Sequence, residues 1–177
     1  MRCIFEDPLL EVKAARLLRK LGMLAGEPIR VERHRNLRDR RGAVHAGAFL
    51  RERQIAFDCA AAEFPRVFVH EVFHFVWRRL GNPRRRSYER LLADEFAARA
   101  RGELGWSAEW RKQDLQDTDV SRRTRRWREY CCESFCDSAA WLYSGVKRHE
   151  EFTLAARFRV ARRRWFSELT EAGKLSI

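Results

Sequence analysis

Two histidines four residues apart, His70 and His74, stand with Glu71 in an otherwise apolar stretch of the chain. Residues four apart lie on one face of a helix, so both imidazoles can reach a single metal ion. Glu71 is turned partly away from that line, where it can hold a water molecule beside the metal. This H-E-x-x-H spacing is typical of zinc hydrolases, in which the histidines bind the metal and the glutamate acts as the base.

The residues around the motif favour a metal site over a structural role. Between Val67 and Trp77, Glu71 is the only Asp, Glu, Lys or Arg. The alternative is a buried helix whose two histidines are satisfied by ordinary core hydrogen bonds. That alternative explains the pattern poorly, because two imidazoles and a carboxylate are costly to bury in an apolar helix without partners. We therefore predict that this stretch binds Zn2+.

A third ligand must come from elsewhere, because catalytic zinc usually takes three protein ligands and leaves one position to water. His34, His45 and His149 lie among charges or in a predicted strand, as ordinary surface or core histidines do. Glu133 and Asp137 are better candidates, since they are four residues apart on the apolar half of a predicted helix. Glu133 could bind the metal while Asp137 accepts the far N–H of a ligand histidine.

Two other glutamates compete with Glu133 for the role of third ligand. Glu95, and less strongly Glu89, lie on the intervening predicted helix, and neither has a carboxylate four residues further on. For Glu133 and Asp137 the alternative is a buried ion pair with one of the many arginines.

Three cysteines, Cys131, Cys132 and Cys136, crowd around Glu133. A thiolate could bind zinc or could control activity through oxidation. Free cysteines are also common as small buried residues in helices, and we favour that packing role.

Hydrophobic periodicity predicts five long helices and three strands. The predicted helices cover residues 8–21, 65–80, 84–101, 121–143 and 150–169, and the predicted strands cover 29–34, 43–51 and 54–59. A tight turn at 51–53 should pair the second and third strands antiparallel. Trp106 and Trp110 are expected to anchor a short helix to the core, and Trp141 to shape a pocket near the acidic pair. The whole, 1–177, is predicted to be one α+β domain with a small antiparallel or mixed sheet packed on the H-E-x-x-H helix and a mainly helical C-terminal half.

The combination of His70-Glu71-x-x-His74 with Glu133-x-x-x-Asp137 resembles the gluzincin metallopeptidases, the class that includes thermolysin and neprilysin. The resemblance covers well under half of the chain. Its long interval before the acidic pair is more similar to the neprilysin branch, and the short chain is more similar to minimal single-domain gluzincins. Trp77 and Leu80 occupy the places of the glycine and histidine that would mark a metzincin.

The resemblance implies a zincin-type cleft in which a sheet edge binds an extended peptide. It makes His70, His74 and Glu133 the zinc ligands, Glu71 the general base and Asp137 the residue that orients a ligand histidine. Gluzincins also use a donor that stabilises the negative oxygen formed during the reaction. His149, Tyr143 and Tyr130 are possible donors, and no motif selects one of them.

The charge of the chain supports an alternative function. The formal net charge is +12, and basic clusters occur at 84–86, 122–128 and 162–164. Such a surplus attracts nucleic acid or acidic proteins, although a preference for arginine can also follow genome base composition. We therefore expect a zinc-dependent peptidase acting on a peptide or protein, with an Arg-rich binding module whose zinc site is structural or degenerate as the alternative.

The remaining features indicate a cytoplasmic protein with no membrane partner. The five cysteines lack the spacing of a disulfide scaffold. The first residues turn acidic at Glu6 and Asp7 and contain no secretory signal. The apolar stretch 67–77 is too short to span a bilayer.

Overall fold

The computed structural model describes residues 2–39 and 42–177. Short strands dominate its first third and helices the remainder. In chain order the elements are β1 (Cys3–Phe5), α1 (Pro8–Lys20), β2 (Leu24–Ala25), β3 (Ile29–Arg33), β4 (Arg38–Asp39), β5 (Gly42–Ala43), β6 (Ala46–Phe49), β7 (Gln54–Phe57), α2 (Phe64–Arg79), α3 (Asn82–Ala97), α4 (Trp106–Gln113), α5 (Asp117–Ser121), α6 (Arg125–Tyr143), α7 (Ala156–Glu171) and β8 (Leu175–Ser176). This confirms an α+β class with a mostly helical C-terminal half.

The main sheet is mixed and has the strand order β1-β3-β7-β6. Strands β1, β3 and β7 run parallel, and β6 pairs antiparallel with β7, with Ala46 opposite Phe57 and Phe49 opposite Gln54. The antiparallel pairing predicted from the turn is therefore confirmed. The sequence did not reveal β1 or the parallel pairing, which join segments far apart in the chain. Strand β6 is left at an edge of the sheet.

Helices α1 and α2 match their predicted bounds to within one residue. Asp7 caps α1 by accepting the Leu9 N–H at 2.8 Å. Gly81, at φ 77°, ends α2, in a conformation that residues with a side chain rarely adopt.

Three predicted helix bounds are wrong for identifiable reasons. Helix α3 ends at Ala97, because Arg99 turns to φ 54° and the Ala100 N–H donates to the Glu95 carbonyl. The helix expected over 121–143 is divided into α5 and α6, since Thr124 caps α6 with its side chain. Helix α7 starts late because the N–H groups of Thr153 and Leu154 both donate to the Glu103 carbonyl.

The positions predicted for three tryptophans are also wrong. Trp106 and Trp110 are 48% and 56% exposed, so they do not anchor α4 to the core. Trp141 packs in a small separate cluster with Phe152 and Leu154, and does not line the pocket next to the acidic pair.

Helix α2 is the centre of the core. On the sheet side, Phe64 and Phe68 contact Phe57, with ring centroids 5.1 and 6.2 Å apart. On the other side, Phe73 contacts Phe135 of α6 at 5.8 Å. Burial on both sides fixes the rotation of α2, and therefore the direction of the histidines it carries. Within residues 2–39 and 42–177, no helix has the length and apolarity needed to cross a membrane.

Candidate metal centre

Three ligand atoms from two helices converge on one point. His70 and His74 project from α2, and their Nε2 atoms are 3.1 Å apart. Glu133 projects from α6, with its Oε2 atom 3.4 Å from the His70 Nε2 and 3.9 Å from the His74 Nε2. Tetrahedral zinc with bonds of about 2.0–2.1 Å places its ligand atoms about 3.3 Å apart. The three atoms therefore have a spacing that suits zinc.

Asp137 orients His70 from the side opposite the convergence point. Its Oδ1 atom is 2.7 Å from the His70 Nδ1, and its Oδ2 accepts the Ala108 N–H at 3.1 Å. That N–H belongs to the first turn of α4, where unpaired donors favour a carboxylate. An imidazole that donates through Nδ1 keeps the lone pair of Nε2 free for a metal.

Gly105 leaves the space that Asp137 occupies. A Cβ atom built on Gly105 would lie 2.2 Å from the Asp137 Cγ and 2.3 Å from its Oδ1. The glycine has an extended backbone at φ −178°, so space and not conformation requires it. Gly105 and α4 are therefore part of the site.

Arg111 of α4 holds the second oxygen of Glu133. Its Nη2 atom is 3.4 Å from the Glu133 Oε1, which leaves Oε2 directed at the histidines. Burial raises the pKa of Glu133, but the hydrogen bond to His70 and the charges of His74, His70 and Arg111 outweigh it and lower the pKa to about 2. Glu133 is ionised at neutral pH and can act as a ligand.

The two imidazoles sit in an environment that favours positive charge. Burial lowers the pKa of His74, but Cys132 and Glu133 outweigh it and raise the pKa to about 9. Burial also lowers the pKa of His70, and Asp137 and Glu133 raise it well above its usual value. In the metal-free protein these protons supply the positive charge that the surrounding carboxylates attract.

Two cysteines contribute to the centre. The Cys132 Sγ is 3.5 Å from the His74 Nδ1, in the position that Asp137 has beside His70. Cys136 lies one turn further along α6, and its Sγ forms a cluster with His70 and His74 in which all ligand atoms lie within 4.8 Å of one another. A His70–His74–Cys136 cluster could thus hold a metal ion, a role that sequence reasoning ranked below packing for Cys136.

Glu71 lies beside the centre and lines a cleft with a volume of about 440 Å³. Burial raises the pKa of Glu71 above its usual value, and the two histidines offset only part of that rise. The edge strand β6 and the preceding residues 43–45 form one wall of the cleft, and Trp106 and Trp110 stand on another, with their ring centroids 5.7 Å apart. The base, the ligand atoms and a sheet edge therefore face the same open space.

The two rival glutamates lie elsewhere and bind arginines. Glu95 accepts hydrogen bonds from Arg162, the shortest at 2.7 Å. Glu89 accepts two from Arg123, at 2.7 and 2.8 Å. The ion pair with an arginine that was the alternative for Glu133 is therefore found for both rivals, while Glu133 contacts Arg111 through one oxygen only.

The three proposed oxyanion donors do not line the cleft. Tyr130 donates to Glu103 at 2.6 Å, and the ring of Tyr143 stacks on Phe73 at 5.6 Å. His149 lies 3.3 Å from Glu63.

The cleft instead contains His45 and Arg66. Arg66 is held by Glu63 and Glu151, each 2.8 Å from its Nη2. His45 has no ion-pair partner among the described residues. The sequence placed His45 in the predicted strand 43–51, but the structure divides that strand into β5 and β6 and puts His45 between them. Its position beside the metal centre could not be predicted, because it depends on how the sheet packs on α2. His34, the remaining histidine, is exposed and pairs with Glu32.

Comparisons of the chain with protein-family models, with curated proteins and with solved structures find no match. Conclusions about function therefore depend on the geometry of the site.

Proposed function

We propose that the protein is a zinc-dependent peptidase with a gluzincin-like site. The observation that carries the proposal is the convergence of the His70 Nε2, the His74 Nε2 and the Glu133 Oε2, separated by 3.1, 3.4 and 3.9 Å, beside Glu71 in an open cleft. The two nitrogens and one oxygen are the donor set of open, catalytic zinc sites.

The formal charge of the centre supports a divalent cation. Glu71, Glu133 and Asp137 bring three carboxylates, and Arg111 brings one guanidinium. With neutral imidazoles this leaves a formal charge of about −2, which protons on the two histidines offset in the metal-free protein. One Zn2+ ion balances it.

Each residue of the site has its own role in peptide hydrolysis. Zinc, when bound, polarises the scissile carbonyl and makes a water molecule more acidic. Glu71 accepts the proton of the attacking water and passes it to the leaving amine. Asp137 holds His70, and Arg111 holds Glu133. His45 is our candidate for stabilising the negative charge that develops on the carbonyl oxygen, since the charge of Arg66 is already offset by Glu63 and Glu151.

The cleft suits an extended peptide. Strand β6 pairs with β7 on one side, and among the described residues no strand pairs with its other side. Such an edge can bind a peptide by main-chain hydrogen bonds. Trp106 and Trp110 offer exposed aromatic surface to a side chain of that peptide.

The decisive experiment combines metal analysis with a peptide-library assay. Purified protein should contain about one zinc per chain. Glu71→Gln should keep the zinc and abolish hydrolysis, because an amide cannot take the proton. Glu52→Gln, an exposed glutamate in the β6–β7 turn, is the matched control and should change neither. Hydrolysis that survives Glu71→Gln, or zinc that survives His74→Ala, would refute the proposal.

Cys136 is the alternative third ligand. If Glu133 binds the metal, Glu133→Ala should lower zinc affinity strongly and Cys136→Ser only slightly. The opposite result would mean that two histidines and one cysteine bind the metal, with Glu133 in an outer position.

A further inference from the structure

A second concavity opens between α3 and the junction of α5 and α6, with a volume of about 310 Å³. We call it the arginine groove. Its lining residues are Arg86, Glu89, Arg90, Ala93, Val120, Ser121, Arg123 and Trp127. None of them lines the cleft at the metal centre.

The arginine groove carries unbalanced positive charge. Arg86 and Arg90 are one turn apart on the same face of α3, and both are exposed. Neither has a hydrogen-bonding or ion-pair partner among the described residues. Glu89 is the one carboxylate of the lining, and both of its oxygens are taken by Arg123. Two free guanidinium groups therefore face the groove.

The fold assembles this surface from distant parts of the chain. The basic clusters at 84–86 and 122–128 are separated in the sequence and meet where α3 packs against α6. The bidentate pair between Arg123 and Glu89 joins the two sides. The exposed acidic residues of α3 and α5 are Asp94 and Asp117. They are outnumbered by further exposed arginines of the same region, namely Arg84, Arg122, Arg126 and Arg128.

We propose that the arginine groove binds the phosphate backbone of a nucleic acid. Guanidinium groups bind phosphate oxygens through paired hydrogen bonds, and a regular row of phosphates can meet several arginines at once. A protein partner fits the groove less well, because the hot spots of protein interfaces combine arginine with accessible aromatic anchors. Trp127, the largest apolar residue of the lining, is 1% exposed.

The groove and the cleft at the metal centre share no lining residue. Trp127 and Glu133 both lie on α6, and the residues between them span about 9 Å of helix axis. Nucleic-acid binding therefore should not require Glu71 or zinc, and its failure would leave the peptidase proposal intact. Together the two sites would bring a peptidase to proteins bound on nucleic acid.

The test is fluorescence anisotropy with labelled duplex and single-stranded DNA, using full-length Glu71→Gln protein at 50 and 200 mM salt. The variant Arg86→Ala/Arg90→Ala should bind at least tenfold more weakly at 50 mM salt. On the duplex, the slope of log affinity against log salt concentration should also be shallower by about 1.8, since each lost phosphate contact removes about 0.9 for B-DNA. Raising the salt fourfold would then cost the parent protein roughly tenfold more affinity than the variant.

The matched control is Arg16→Ala/Arg19→Ala, which removes two exposed arginines of α1 and the same charge. It should bind within about twofold of the parent protein. Equal loss in both double variants would overturn the proposal, since net charge alone would then explain binding. Absence of binding to both DNA forms at 50 mM salt would overturn it as well. Competition by polyglutamate as effective as DNA at equal charge would assign the groove to an acidic protein instead.

Discussion

Two buried polar clusters flank α6, and they balance their charges in different ways. In the first, Arg162 and Lys112 neutralise Glu95 and Glu103, and Tyr130 donates a further hydrogen bond to Glu103. In the second, three carboxylates surround two imidazoles with one guanidinium at the margin. The first cluster is complete within the protein. The second is balanced only by protons on its two histidines, which a divalent cation can replace, and it opens to a cleft.

This difference teaches how to separate a structural carboxylate from a ligand. Both clusters place glutamates at buried helix positions, and burial alone does not distinguish them. What distinguishes them is whether the protein supplies the opposing charge. The closed cluster should contribute to stability in the absence of any ligand, and the open one should gain further stability when a cation binds.

The largest expected effect is on the closed cluster. Arg162→Met should lower the free energy of unfolding by about 3–5 kcal/mol, because it leaves buried carboxylates without their partner. Urea denaturation of the metal-free protein measures this. Arg164→Met is the control: its pair with Glu168 is largely exposed, so the change should be under about 1 kcal/mol.

A combined variant tests whether the loss of stability comes from the unpaired buried charge. Arg162→Met with Glu95→Gln should recover part of the lost stability, since the remaining carboxylate, Glu103, is still neutralised by Lys112. If the combined variant is less stable than Arg162→Met alone, charge balance does not hold this cluster together.

Zinc should have a similarly large effect on the open cluster alone. At a free zinc concentration 1,000 times its Kd, the wild-type protein should gain about 4 kcal/mol in unfolding free energy. Arg162→Met should gain the same amount, whereas His74→Ala should gain almost nothing. Thermal unfolding with and without a zinc buffer measures the gain. An equal gain in His74→Ala would place the bound zinc outside the centre.

The residues of the open cluster could be predicted from the sequence, whereas the pairing in the closed cluster could not. The spacing of His70, Glu71 and His74 on an apolar helix, and the carboxylate pair Glu133 and Asp137, depend on local periodicity, and the structure brings these residues together. The ion pair of Glu95 could not be predicted, because its partner Arg162 lies 67 residues away in the sequence. Only the packing of α7 on α3 brings them into contact.

The supporting residues of the site were missed for a similar reason. The role of Gly105 depends on where the carboxylate of Asp137 lies, and that contact joins the residue before α4 to a residue of α6. The parallel pairing of β1, β3 and β7 could not be predicted, because no short turn connects the strands that pair. The single domain over 1–177 and the cytoplasmic location stay predictions.

A methyl group added next to Asp137 should have an intermediate effect on zinc affinity. Gly105→Ala should lower zinc affinity about 10- to 100-fold, because the new methyl group displaces the carboxylate that orients His70. Competition with a zinc chelator measures the affinity. Gly22→Ala, whose Cβ meets only the Arg19 carbonyl at 3.4 Å, should leave the affinity unchanged. If Gly105→Ala keeps full affinity, Asp137 does not support the metal through His70.

The smallest expected effect separates the two outer partners of the histidines. Asp137 approaches the His70 Nδ1 to 2.7 Å through a carboxylate oxygen, whereas the Cys132 sulfur is 3.5 Å from the His74 Nδ1. Sulfur accepts hydrogen bonds more weakly than oxygen, so Cys132→Ser should lower zinc affinity by less than about tenfold, while Asp137→Asn should lower it about 10- to 100-fold. Chelator competition on both variants gives the comparison. A larger loss in Cys132→Ser would mean that the sulfur itself takes part in binding the metal, and that the open cluster includes the cysteines of α6 as well as its carboxylates.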